Sequence, residues 1–113
     1  MRGQISPTIA MLALYYLTFS RPEEAQAVAH ELLHEKIAVC TNWFPITCAY
    51  LWEGAVQQEA ETVLIVKARA GVRESIEAVA RRHIDYTHFV GEIPLASVNT
   101  DFAQWLTREL GGE

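Results

Sequence analysis

His30-Glu31-Leu32-Leu33-His34 is the stretch whose residue types and spacing spell out a reaction most directly. Two histidines four residues apart share one side of a helix and can hold a zinc ion, and the glutamate between them can take a proton from a bound water. The helix that must carry them argues for a quieter role. Ala25, Val28, Ala29, Leu32 and Leu33 recur at helical spacing around a stripe centred near Leu32. At ~100° per residue His30 and His34 lie roughly 130° to 170° away from that centre. They are expected in solvent beside Glu23, Gln26 and Glu35, and neither His83, His88 nor any carboxylate stands in a recognisable third-ligand motif. A zinc-dependent hydrolase built on His30, Glu31 and His34 is the alternative reading.

A second constellation gathers Cys40, Asn42, Tyr50, Trp52, Glu53 and Gly54 on or next to one hairpin, with Lys67 near the end of the returning strand and His83 further on. A thiol with a lysine nearby is a candidate metal or anion site. The structural reading of the same residues is a packed aromatic hairpin with a lysine whose stem is covered and whose head reaches water. No nucleophile, base and orienting group can be named from the spacing. Cys40 and Cys48 are the only cysteines. In a straight strand they stand ~26 Å apart at 3.3 Å per residue, too far for a disulfide or a shared ion, so they read as small buried residues of a reducing compartment.

The elements that position these residues follow in short order. A chain of 113 residues is one domain. Thr8 to Thr18 is apolar and continuous enough for a buried strand, and too short for the roughly 18 to 20 residues that cross a bilayer. Arg2 before the run and Ala25-Gln26-Ala27 after it imitate a secretory leader, but Arg21, Glu23 and Glu24 precede the supposed cut and the run passes directly into a helix start. A cytoplasmic protein is expected. Ser20 and Glu23 form a capping-box pattern around Pro22, opening a helix that ends near Lys36. Ile37 to Trp52 and Thr62 to Ala68 are two strands of a long hairpin joined by polar residues, with Pro45 at a bulge or bend. Val72, Ile76, Val79 and Ala80 mark a second helix, with Glu77 and Arg81 paired on its outer side. Thr87 to Val98 is a fourth strand in which Pro94 calls for an edge or a bulge, and a last helix capped by Asn99 or Thr100 carries Phe102, Trp105, Leu106 and Leu110 up to Gly111-Gly112.

The order βαββαβ plus a terminal helix predicts an α+β, ferredoxin-like sandwich with an antiparallel sheet over residues 1–113. Two helices cover one face of the sheet. The second and third strands are apolar on both faces, so the other face is expected to pack on further copies. Half of the residues are apolar, more than a small domain buries alone, which points the same way. Nine Lys or Arg against fourteen Asp or Glu, a net charge of -5, leave no basic track for nucleic acid.

Val39-Cys40-Thr41-Asn42, Tyr50-Leu51-Trp52-Glu53-Gly54, Val66-Lys67 and Asn99-Thr100-Asp101-Phe102-Ala103-Gln104-Trp105-Leu106 resemble, in order and spacing, the A-C-x-N, Y-x-W-x-G, V-K and N-x-x-Y-x-x-W-L segments of the CutA divalent-cation-tolerance family. The resemblance runs from Thr8 to about Leu110. It departs where the family reads H-P-Y-E-x-P-E-I: here His83-Ile84-Asp85-Tyr86-Thr87-His88-Phe89-Val90 keeps only His83, and Phe89 stands in place of a carboxylate. What the resemblance implies is a ferredoxin-like homotrimer, related in shape to the PII signalling proteins, with no established reaction; charge and run length already argue against nucleic-acid and membrane partners. It implies clefts between subunits framed by Trp52, Lys67, His83 and Tyr50, and copper or another divalent cation as ligand, for which Cys40 and His83 are the donors carried over. A structural trimer that anchors a partner protein is a further alternative.

Overall fold

The computed structural model describes residues 11–86 and 88–111. Residues 8–10 of the expected first strand, Arg2, Thr87 and Gly112 lie outside them. The elements are β1 (Leu12–Phe19), α1 (Pro22–His34), β2 (Ala38–Trp52), β3 (Ala55–Arg69), α2 (Arg73–Arg81), β4 (Val90–Pro94) and α3 (Thr100–Glu109). The four strands form one sheet in the order β2-β3-β1-β4, antiparallel throughout. Ala25, the first residue of the imagined cleavage motif, is buried in α1. No helix among the described residues is long and apolar enough to cross a membrane.

Period-2 alternation decides which face each strand residue serves. Ala13, Tyr15, Leu17 and Phe19 of β1 and Leu64, Val66 and Ala68 of β3 form one cluster with Ala25, Val28, Ala29 and Leu32 of α1 and Ile76, Val79 and Ala80 of α2. Burying the Leu, Ile, Val and Phe side chains among them stabilises by about 1.5–3 kcal/mol each. Leu12, Val63 and Leu106 are also buried but belong to no part of that cluster, because they lie on the opposite face, one end of which α3 covers. Leu33, expected within the α1 stripe, is exposed at its margin.

Several boundaries differ from the sequence expectation, each for a local reason. Pro22 occupies the first turn of α1 and its lack of an N–H makes Arg21 the N-cap, so the Ser20–Glu23 capping box does not form. The Ser20 amide donates instead to the Tyr86 hydroxyl (2.8 Å). At the other end Lys36 takes φ 58°, and the bonds Lys36 N–H to Leu33 O (3.1 Å) and Ile37 N–H to Leu32 O (3.0 Å) close a Schellman motif. The polar stretch after Trp52 is strand, not loop. Glu53 and Gly54 both have positive φ (50° and 82°) and make a two-residue turn, so β3 begins at Ala55.

The bulge in β2 is at Val39, between the pairs Ala38–Ala68 and Cys40–Lys67, whereas Pro45 stays in regular register opposite Thr62. Pro45 is tolerated because β2 is an edge strand, where alternate N–H groups have no partner strand. β4 is an edge as Pro94 requires, and it is shorter than expected because its pairing with β1 runs only from Val90 to Pro94. α3 is capped at Asn99.

The hairpin of β2 and β3 gives the chain an elongated form, 56 × 27 × 21 Å, with a radius of gyration of 16.0 Å against about 13 Å for a compact domain of this length. Leu51, Trp52 and Val56 at its end are exposed, at 73%, 56% and 75%.

Candidate functional site

The candidate residues fall in three places. Cys40 and Lys67 are cross-strand partners, so both side chains lie on the sheet face that α3 covers. The Lys67 ammonium stands 3.8 Å from Cys40 Sγ and 5.7 Å from the centre of the Phe102 ring. Beside it a cavity of about 190 Å³ opens between β1, β3 and α3, with Leu14, Phe102 and Leu106 in its walls. α3 is held here because its buried Leu106 and half-buried Phe102 turn inward while Gln104 and Arg108 face water.

Tyr50 and Trp52 lie at the far end of the hairpin. Twelve strand residues from Ala55 to Lys67 span ~40 Å, so Trp52 and Lys67 of one chain cannot line one cleft. The Tyr50 hydroxyl donates to Glu59 Oε2 (2.7 Å). That bond, then burial and the charges of Glu59 and Glu61, push the phenol up to about 12. On the same face Cys48 is opposite Glu59, and burial followed by Glu61 raises its thiol above the ordinary range, which lowers its reactivity. Both cysteines are free.

His83 sits just past α2 on the other face of the sheet, where its Nε2 is 2.6 Å from Glu31 Oε1. Arg82 bonds Glu31 as well and reaches Glu35 at 2.6 Å. This cluster ties the end of α2 to α1. It places His83 and Cys40 on opposite faces, so within one chain they do not share an ion. It also engages Glu31, the proton acceptor of the zinc-hydrolase reading, in an ion-pair network. His30 and His34 are exposed, as expected, with the His30 ring edge-on to Trp43 at 6.4 Å. Among the described residues no group of three or more His, Cys, Asp and Glu side chains is disposed to hold a metal.

The bond to His83, then Glu35 and the Arg82 guanidinium, lower the Glu31 carboxyl to about 2. A folded-state value below the unfolded one means that the unfolded chain takes up the proton first as pH falls. The stabilisation from Glu31 is therefore complete above about pH 4.5 and is lost between there and about 2. In Glu31→Gln the loss of thermal stability across that window is expected to be shallower than in the parent; parallel curves would show that the cluster contributes nothing.

Sequence reasoning did not find Phe102 and the cavity, the Tyr50–Glu59 pair, or Glu31 as an anchor for His83. The first had a usable signal: counting back from a two-residue turn at Glu53-Gly54 puts Cys40 opposite Lys67. In the segment that departs from the family pattern, Tyr86 donates to Glu24 Oε1 (2.6 Å), His88 stacks on Phe19 with ring centres 6.2 Å apart, and its buried Nε2 has no partner among the described residues. Phe89 lies against Gly91 and edge-on to Tyr16 (6.1 Å). An added Cβ at Gly91 would come within 2.7 Å of the Phe89 ring.

The fold is shared with known proteins. Residues 13–109 match the family model described as CutA1 divalent ion tolerance protein. The chain belongs to this CutA1 family. A divalent-cation tolerance protein CutA of Archaeoglobus fulgidus is 35% identical over 95 residues, covering 80% of this chain and 90% of its own length. Among solved structures, the periplasmic divalent cation tolerance protein CutA of A. fulgidus superposes with a TM-score of 0.84 at 30% identity, over 88% of this chain and 99% of that one. CutA1 of Oryza sativa does so with a TM-score of 0.84 at 29% identity, over 90% and 95%. The α+β ferredoxin-like sandwich read from the sequence is the fold of these CutA1 proteins.

Proposed function

We propose that this CutA1-family chain works as a non-enzymatic homotrimer in the cytoplasm, in tolerance of divalent metal ions, taking up copper, another divalent cation or a small ligand where copies meet. The observation that carries the reading is the hairpin. It extends beyond the chain's own core and ends in exposed Leu51, Trp52 and Val56, a surface that water tolerates poorly and a second copy can cover. Trp52 and Tyr50 lie too far from Lys67 to join it within one chain, so a cleft containing all three needs a hairpin from a neighbour. The names of the relatives supply the divalent-cation part. Two unpaired thiols suit a reducing compartment, and Cys and His are suitable donors for copper.

Native mass spectrometry of the protein purified without added metal, and again after addition of copper, tests this directly. A species of three times 12.7 kDa that takes up copper in a fixed ratio, reduced in Cys40→Ser or His83→Ala, is the expected result. A single chain at micromolar concentration defeats the trimer, and uptake indifferent to both substitutions defeats these donors.

A further inference from the structure

The cavity beside Lys67 has a composition that packing alone does not require. Leu12, Leu14, Val98 and Phe102 make its walls apolar, and Lys67 and Asn99 are the polar side chains among its lining. Lys67 is half-buried. The ion pairs among the described residues engage Arg21, Arg73, Arg81, Arg82 and His83, and none engages Lys67. Its ammonium has no counter-charge among the described residues, and what stands near it is a thiol at 3.8 Å and a ring at 5.7 Å. Asn99 caps α3 with its backbone only; its side chain bonds none of the helix's first amides, so it is available to a ligand.

Size and donor number narrow the chemistry. A volume of about 190 Å³ is below the roughly 300–1,000 Å³ of pockets that take drug-sized ligands, which suits a ring or a branched chain. A phosphate or sulfate recruits several cationic or amide donors, whereas one ammonium and one carboxamide above an apolar floor suit a single carboxylate. We propose that this cavity binds a small monocarboxylate with an apolar body, an aryl or branched-chain acid, with its carboxylate on Lys67 and Asn99 and its body against Leu14, Val98 and Phe102. β1, β3, α3 and the loop before α3 of one chain build the lining; because Lys67 is also a wall of the proposed cleft between copies, the inference rests on that reading and deepens it by naming the ligand class.

Calorimetric titration of the full chain with sodium benzoate, followed in parallel by tryptophan fluorescence, to which Trp105 contributes with its ring tilted against Phe102 at 5.5 Å, provides the test. Saturable binding is expected, at least tenfold weaker for neutral benzamide and at least tenfold weaker in Lys67→Met. Val98→Phe, which fills the cavity and keeps the ammonium, should abolish it. Absence of saturation with both benzoate and isovalerate up to ~10 mM, ten times a millimolar dissociation constant, overturns the proposal. So does equal binding of benzamide, or benzoate binding unchanged in Lys67→Met and Val98→Phe variants that keep the parent's far-ultraviolet circular dichroism. Native mass spectra of the same samples report subunit number separately, so failure here and failure of the trimer reading are told apart.

Discussion

Leu51→Ser, Trp52→Ser and Val56→Ser combined in one chain are expected to leave a folded single subunit, where the parent is expected at the proposed three times 12.7 kDa. The three side chains sit at the end of the β2–β3 hairpin, exposed and outside the core that α1 and α2 cover. Their loss removes nothing from that core. If a neighbour buries them, each contributes about 1.5–3 kcal/mol per copy, and losing all three removes about 4.5–9 kcal/mol per copy, comparable with the whole affinity of a micromolar interface. Sedimentation velocity with circular dichroism makes the measurement. An unchanged mass would mean that the hairpin tip is not the seat of assembly, whatever else is.

The second large effect lies inside one subunit. The buried Tyr15 hydroxyl donates to Arg69 O (2.6 Å) and accepts from Val72 N–H (3.1 Å), joining β1 to the end of β3 and to the residue that opens α2. Tyr15→Phe keeps the ring and strands one buried acceptor and one buried donor. The expected cost is about 1–3 kcal/mol, read as a lower urea midpoint at fixed protein concentration, since the proposed assembly would make stability depend on concentration. Burial raises the Tyr15 phenol above its ordinary 10.0. Its contribution is therefore present at all pH values below 10 and disappears only as pH rises through the raised value. A midpoint within error of the parent would show that water replaces both bonds.

The fold was legible because its elements carry strong periodic signals. The stripe from Ala25 to Leu32 could only be a helix laid on a sheet, and the alternation around Tyr15 and Leu17 could only be a strand under it. The long hairpin was misjudged because Gln57, Gln58, Glu59 and Glu61 look like loop to a hydropathy pattern. They are strand because the Glu53-Gly54 turn sets the register and cross-strand pairing does not require apolar side chains. The bulge was assigned to Pro45 since proline is the visible anomaly, whereas a bulge at Val39 leaves no compositional trace. The candidate site was legible only as a set of residue types. Which face Lys67 or His83 serves follows from strand parity and from where α2 ends, and a one-residue error in either exchanges one face for the other.

The position of β2 at the sheet's rim has a consequence for the newly made chain. Fifteen residues of strand present backbone donors and acceptors on one side to whatever arrives, and they are among the most apolar in the sequence. Such a rim is a template for uncontrolled strand addition and fibrillar aggregation. Pro45 interrupts the row of donors near its middle, and the Val39 bulge twists its start away. The proline that looks out of place in a strand thus acts as a gatekeeper, protecting the subunit during the interval between synthesis and whatever finally covers that rim.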